Sequence, residues 1–287
     1  MFEVTLLGTS SGAPTVERSL PSIAVRREGD VFLLDCGEGT QRQMMRFGIS
    51  YMRVKAIFIT HLHLDHFLGA FGLIETMGLN GRTEKLSIYG PAGSKAVFGR
   101  KSFVEITEID GKFSADFGAF SVSAFPVSHT NGALGFALQE KEKIRFHEEK
   151  AKSLGLRGPM FTEIMRKGEL VVGKKKIRLQ DVTYRQPGKK LVYSGDTAPC
   201  AATAKAAKGA DLLIHEATFA SDRVEEAKEA KHSTAAGAAQ IAKKAGAKRL
   251  LLTHISGRYR DTSPLLDEAK KIFPETQMAQ DGTSTTV

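Results

Sequence analysis

His61-Leu62-His63-Leu64-Asp65-His66 follows directly on the apolar, largely β-branched run VKAIFI at 54–59. The run reads as a buried strand ending at Thr60, and the hexapeptide as the turn from that strand into a helix. Residues two apart on extended chain point the same way, so His61 and His63 can hold one metal ion from one side. Asp65 and His66, where the chain turns, can face a second. Imidazole and carboxylate suit zinc, and a zinc site with an open coordination position is catalytic. A lone histidine is usually a satisfied core residue. Three histidines and an aspartate within six positions at such a turn need another explanation.

Two ions need more ligands than one hexapeptide supplies. His129, Asp196 and His254 each stand just beyond a predicted strand, at 120–127, 191–194 and 250–252. Ligands at the ends of different strands can converge at one edge of a sheet. Further strands are expected at 2–7, 23–25, 31–35, 86–89, 134–138 and 212–214. Helices fit 39–47, 67–77, 93–104, 198–207, 233–245 and 263–273. Ser233 or Thr234 suits a helix N-cap, and Ser263 with Pro264 suits another helix start. The pattern predicts an α/β chain of one domain over 1–287, with two layers of sheet each covered by helices.

One stretch breaks this rhythm. The 143–190 segment lies between two well-formed strands and is rich in glycine and proline. It carries 14 Lys/Arg against 5 Asp/Glu, which equals the net charge of +9 of the whole chain. A neutral body with one cationic insertion points to a grip on a polyanion. Long insertions of this kind are usually functional or disordered.

With 287 residues, 41% hydrophobic and 25% charged, the chain can bury a full core. It holds no apolar run long enough for a membrane span. The N-terminal MFEVTLLGTSSGAPT reads as a first strand and not as a signal peptide. Only Cys36 and Cys200 occur, so a reducing cytoplasm is expected and a disulfide framework is not.

Taken together, His61, His63, Asp65, His66, His129, Asp196 and His254 resemble the zinc signature of the metallo-β-lactamase superfamily. The resemblance implies a four-layer αββα sandwich and two zinc ions per subunit. It places His61, His63 and His129 on one ion, Asp65, His66 and His254 on the other, and Asp196 between them. Asp35 matches an early aspartate that orients and does not ligate. The superfamily includes β-lactamases, thioesterases, sulfatases and nucleases, so the metals alone do not name a substrate. Gly8-Thr9-Ser10-Ser11-Gly12 with Pro14-Thr15, and the run Asp35 to Gln41, resemble ribonuclease Z, the tRNA 3′-processing endonucleases. So do His215-Glu216-Ala217-Thr218, His232-Ser233-Thr234 and Thr253-His254-Ile255-Ser256 with Arg258 and Tyr259. Gly155-Leu156-Arg157-Gly158-Pro159 looks like that family's flexible tRNA-binding arm. Ser19 after Arg18 is a departure, where the pattern has Asn.

What the resemblance implies is hydrolysis of precursor tRNA by a homodimer. Water activated by metal attacks phosphorus, with Asp65 as proton acceptor. His232 then protonates the leaving ribose 3′-oxygen, with Glu216 holding its imidazolium form. Substrate contacts fall to Gly158, Pro159, Lys174, Lys175 and Lys176 in the arm, and to Arg258. Mn could take the same ligands as Zn. A small-molecule phosphodiesterase or sulfatase of the same superfamily is the alternative, and a non-catalytic RNA-binding protein with a degenerate metal site is another. The basic insertion argues against the first and the intact ligand set against the second.

Overall fold

The apolar runs that mark the strands are buried on both faces, which is what a stacked pair of sheets requires. The structure is a computed structural model and describes residues 1–99 and 102–287. It falls into two compact units, Met1–Gln139 with Lys189–Val287, and Glu140–Gly188.

The larger unit is built on two seven-stranded sheets. In the first, Val54–Phe58 lies between Asp30–Leu34 and Leu86–Pro91, all parallel. In the second, Lys190–Tyr193, Leu212–Glu216 and Leu250–Thr253 run parallel side by side. Side chains alternate across each strand. Phe32, Leu34, Ala56 and Phe58 meet Phe120, Phe136, Leu138, Tyr193 and Ile214 in the core between the sheets. The intervening Val31, Leu33, Ile57 and Ile59 face outward onto Met44, Leu73 and Met77 of the helices on that side. Behind the second sheet, Val192, Leu213, Leu250 and Leu252 pack against Ala204, Ala238, Ala239 and Ala242. The result is helix, sheet, sheet, helix.

The helix Ala235–Ala245 shows how local sequence sets this packing. Its buried face is mostly alanine, so its backbone can lie close to the sheet. The Thr234 side chain accepts from the Gly237 N–H at 3.0 Å, a cap of the kind that contributes about 1 kcal/mol. Gly246 ends the helix in the left-handed region.

The helix expected at 93–104 is shorter. Ser94–Phe98 is helical, Gly99 turns the chain at φ 64, and Val104 already opens the strand Val104–Ile109. Residues 100 and 101 lie outside the described residues.

The smaller unit is folded. Lys143–Phe146 pairs with Thr183–Gln186, and Glu169–Val172 with Lys175–Arg178 around a turn at Gly173. Helices Glu148–Ser153, Met160–Lys167 and the short Leu179–Val182 complete it. Ala151, Leu156, Ile164, Ile177 and Val182 are buried in a core of its own, with Phe146 and Phe161 against it. Within its observed bounds it carries 13 Lys/Arg against 7 Asp/Glu, because the acidic Glu140 and Glu142 enter and Lys189 and Lys190 leave. It therefore holds two thirds of the net charge and not all of it.

Candidate metal centre

Each proposed ligand follows the C-terminal end of a strand. His61 comes three residues after Val54–Phe58, His129 after Phe120–Pro126, Asp196 after Lys190–Tyr193, and His254 directly after Leu250–Thr253. Chain direction thus delivers donors from both sheets to one edge, where ligands of α/β sheets collect. His61, His63, His129 and Asp196 each offer a donor atom within 4.8 Å of the others, and so do Asp65, His66 and His254.

Asp196 touches both groups. Its Oδ2 lies 3.2 Å from His66 Nε2, 3.7 Å from His61 Nε2 and 3.9 Å from His129 Nε2. Its Oδ1 lies 3.3 Å from His254 Nε2. Asp65 Oδ2 is 3.6 Å from His66 Nε2 and 3.7 Å from His254 Nε2. His63 Nδ1 is 3.3 Å from His129 Nε2.

The rings are held from behind. His66 Nδ1 donates to Asp35 Oδ2 at 2.8 Å, and His129 Nδ1 to the Lys231 carbonyl at 3.0 Å. His61 Nδ1 meets the Thr60 hydroxyl at 3.0 Å, and His254 Nδ1 the Thr218 hydroxyl at 2.9 Å. With the proton fixed on Nδ1, each Nε2 turns a lone pair toward the cluster, the arrangement that outer partners impose on metal-ligating histidines. Asp35 is buried at φ 57 and also accepts from Thr60 and Tyr193, so its oxygens are spent on orientation.

Whether the residues suit a cation is decided by their unmet needs. His61 Nε2, His66 Nε2, His254 Nε2 and Asp196 Oδ1 are buried with no hydrogen-bond partner among the described residues. A buried polar atom left unpaired costs about 1–3 kcal/mol, and four gathered around Asp196 are explained by cations that they would serve. Burial drives the His61 pKa down to about 2, which keeps the ring neutral and able to ligate. Burial also opposes charge on Asp196, but His254 and His66 outweigh it and hold the carboxyl well below its ordinary range. The donor set fits a divalent metal.

Beside the cluster stands a carboxylate–imidazole pair. Glu216 Oε1 accepts from His232 Nδ1 at 2.8 Å and from the Thr197 and Ser233 amides at 3.0 Å. Its Oε2 accepts from the Thr218 amide and hydroxyl at 3.0 and 2.9 Å. Burial raises the Glu216 carboxyl, but the charge of His232 more than offsets it, so the group stays ionised. Burial likewise disfavours charge on His232, and Glu216 overcomes it, holding the pKa at about 9. The His232 ring lies 4.8 Å from that of His129 and stacks at 5.5 Å on that of His254. His232 also offers an atom within 4.8 Å of Asp196 and His254, so geometry admits it as a ligand too.

These arrangements agree with a known family. A model of the metallo-β-lactamase superfamily matches residues 18–254. Ribonuclease Z of Methanothermobacter thermautotrophicus is 44% identical over 98% of this chain and 95% of its own. Ribonuclease Z of Gemmatimonas aurantiaca is 44% identical over 98% and 94%. The chain belongs to the ribonuclease Z family. The crystal structure of human tRNase Z, short form, superposes with a TM-score of 0.72 at 29% identity, covering 99% of this chain and 98% of that one. As a ribonuclease Z the chain is an endoribonuclease of the metallo-β-lactamase fold, and it uses a divalent metal.

Other expected residues are more dispersed. Arg258 lies over the Phe219 ring at 5.1 Å and donates to Glu226 at 2.8 Å, and Phe219 is 6.1 Å from the His232 ring. His215 is buried with Nδ1 donating to the Glu216 carbonyl, a support to the strand and not to the donors. Gly158, Pro159, Lys174, Lys175 and Lys176 all belong to the second unit, outside the donor cluster. There Gly158 is left-handed at φ 47, Pro159 precedes Met160–Lys167, and Lys176 pairs with Glu169 at 2.8 Å. Sequence reasoning missed the hydroxyls of Thr60 and Thr218 and the Gly12 N–H, which donates to Asp65 Oδ2 at 3.0 Å. Thr218 and Gly12 stand inside the quoted motifs without an assigned role, and the signal of Thr60 was its place just after a strand.

Proposed function

We propose that the chain removes the 3′ trailer of precursor tRNA by hydrolysis of one phosphodiester bond, with two zinc ions per subunit. The observation that carries the reading is the pairing of a shared-aspartate donor cluster with a proton-holding His232–Glu216 couple at its side. His61, His63 and His129 would hold one ion, Asp65, His66 and His254 the other, and Asp196 both. Bound ions would offset the charge of the scissile phosphate and make water acidic enough to attack near neutral pH.

The residues of the chain do the rest. Asp65, steadied by the Gly12 N–H, takes the proton of the attacking water. A ribose 3′-oxygen leaves badly as an anion, so it must be protonated as it departs. His232 has its Nδ1 tied to Glu216, which leaves Nε2 to deliver that proton. Thr218 bonds both Glu216 and His254, so proton donor and metal ligand share one support. The products are tRNA with a 3′-hydroxyl and a trailer with a 5′-phosphate.

The Glu140–Gly188 unit is the arm that holds tRNA, through Gly158, Pro159 and the Lys174 to Lys176 run. Its positive charge supports this, since phosphate neutralisation dominates affinity for nucleic acid. Folded RNA is recognised largely by shape and backbone, so base readout is not required. By family resemblance the chain works as a homodimer in the cytoplasm, the arm of one subunit serving the other. Incubation with a 3′-extended precursor tRNA and mapping of both new ends tests the reading. Hydroxyl and phosphate ends at one site are expected. A 2′,3′-cyclic phosphate, or no cleavage, would refute it.

A further inference from the structure

Lys231 occupies a backbone position that favours glycine. The helix Val224–Glu229 closes with the Lys231 N–H on the Lys228 carbonyl at 3.1 Å and the His232 N–H on the Ala227 carbonyl at 2.8 Å. This is the paired closure of a Schellman motif, whose penultimate residue must be left-handed and is usually glycine. Here it is a lysine at φ 54. Two other helices, Met160–Lys167 and Ala235–Ala245, make their left-handed ends with Gly168 and Gly246. A side chain at such a position is destabilising relative to glycine.

Among the described residues the other left-handed non-glycines are Glu28, Asp35 and His254. Glu28 lies in the hairpin turn before Gly29, and the other two belong to the metal centre. Strain of this kind collects at functional sites. The backbone task of Lys231 is clear, because its carbonyl fixes His129 Nδ1. Glycine would perform that task equally well. The side chain is exposed and its ammonium makes no ion pair or hydrogen bond among the described residues. It stands one residue from His232, at the side of the cluster where the leaving oxygen must receive its proton.

We infer that the Lys231 ammonium is a substrate contact, binding an RNA phosphate next to the scissile bond. The inference rests on the proposed function. A competing role is a cation set against the negative end of a helix, which would make the lysine stabilising. The two roles predict opposite effects on stability.

Lys231→Gly and Lys231→Arg, compared with the parent on 3′-extended precursor tRNA over a series of salt concentrations, separate them. The glycine variant should melt higher than the parent and raise KM about three- to tenfold, with a smaller fall in kcat. Its plot of log(kcat/KM) against log salt should be shallower by about one, as for the loss of one phosphate contact. The arginine variant should keep the KM and salt slope of the parent. A glycine variant with the parent's KM and slope, or one that melts lower, would overturn the inference. Failure of the parent itself to cleave would bring down the functional reading first, and this inference with it.

Discussion

Glu216 receives five hydrogen bonds on its two oxygens, so full burial does not neutralise it. That concentrates the proton question on its partner. His232→Ala removes none of the seven proposed ligands, so metal content measured by mass spectrometry should stay at the parent level. Turnover of precursor tRNA should fall by about two to four orders of magnitude, the range for a lost general acid. An aryl phosphodiester with a nitrophenolate leaving group needs no proton and should suffer much less. Loss of metal in this variant would reassign His232 as a ligand. Asp196→Ala should instead lose metal and both activities together, because both donor groups meet at that carboxylate. The pH profile carries a sign as well. On the proposed mechanism the acid form of His232 is the active one, and Glu216 raises its pKa to about 9. Cations in the cluster lower it from there. Turnover should therefore decline as pH climbs through a value at or below about 9, and His232→Ala should abolish that alkaline limb. A variant with the limb intact would assign it to another group.

The strands that carry ligands were the most legible elements. Val54–Phe58, Lys190–Tyr193 and Leu250–Thr253 are short, mostly apolar and largely buried, and Phe120–Pro126 alternates buried with part-exposed positions; polar residues that a strand end would not otherwise hold follow each of them within a few positions. The strands missing from the sequence reading include Val104–Ile109, Phe113–Asp116, Thr276–Met278 and Ser284–Thr286. These four are the edges of the two large sheets. Edge strands are half-exposed, so VEITEI or FSAD presents too little continuous apolar pattern to be told from a turn. The hydrogen-bonding hubs were hidden for a different reason. Thr60 and Thr218 acquire their partners only when strands from distant parts of the chain come together. The smaller unit escaped because its core is slight, five buried side chains spread over Glu140–Gly188. That slightness is testable. Leu156→Ala should cost the unit about 2–5 kcal/mol, enough to open so small a core. Amide exchange should then quicken throughout 140–188 and stay slow in the two sheets. Removing the unit outright should raise KM for precursor tRNA sharply and spare hydrolysis of a small phosphodiester. Equal loss of both activities would end the division of labour between the units.

At the scale of the molecule the donor cluster joins the two sheets. His61, Asp65 and His66 follow a strand of the first, and His129, Asp196 and His254 follow strands of the second. Without an ion, four buried ligand atoms there have no hydrogen-bond partner among the described residues. A ligand that binds only the folded state at a hundred times its Kd adds about 2.7 kcal/mol. Chelation should therefore lower the melting temperature, and zinc should restore it. The central claim is that this cluster is a two-ion hydrolytic centre. It is met most directly by titrating zinc into chelated protein while following cleavage of precursor tRNA and bound metal together. Cleavage absent at zero metal and rising to a plateau at two equivalents per chain is the predicted result. Cleavage by the metal-free protein, or a plateau at one equivalent, would contradict it.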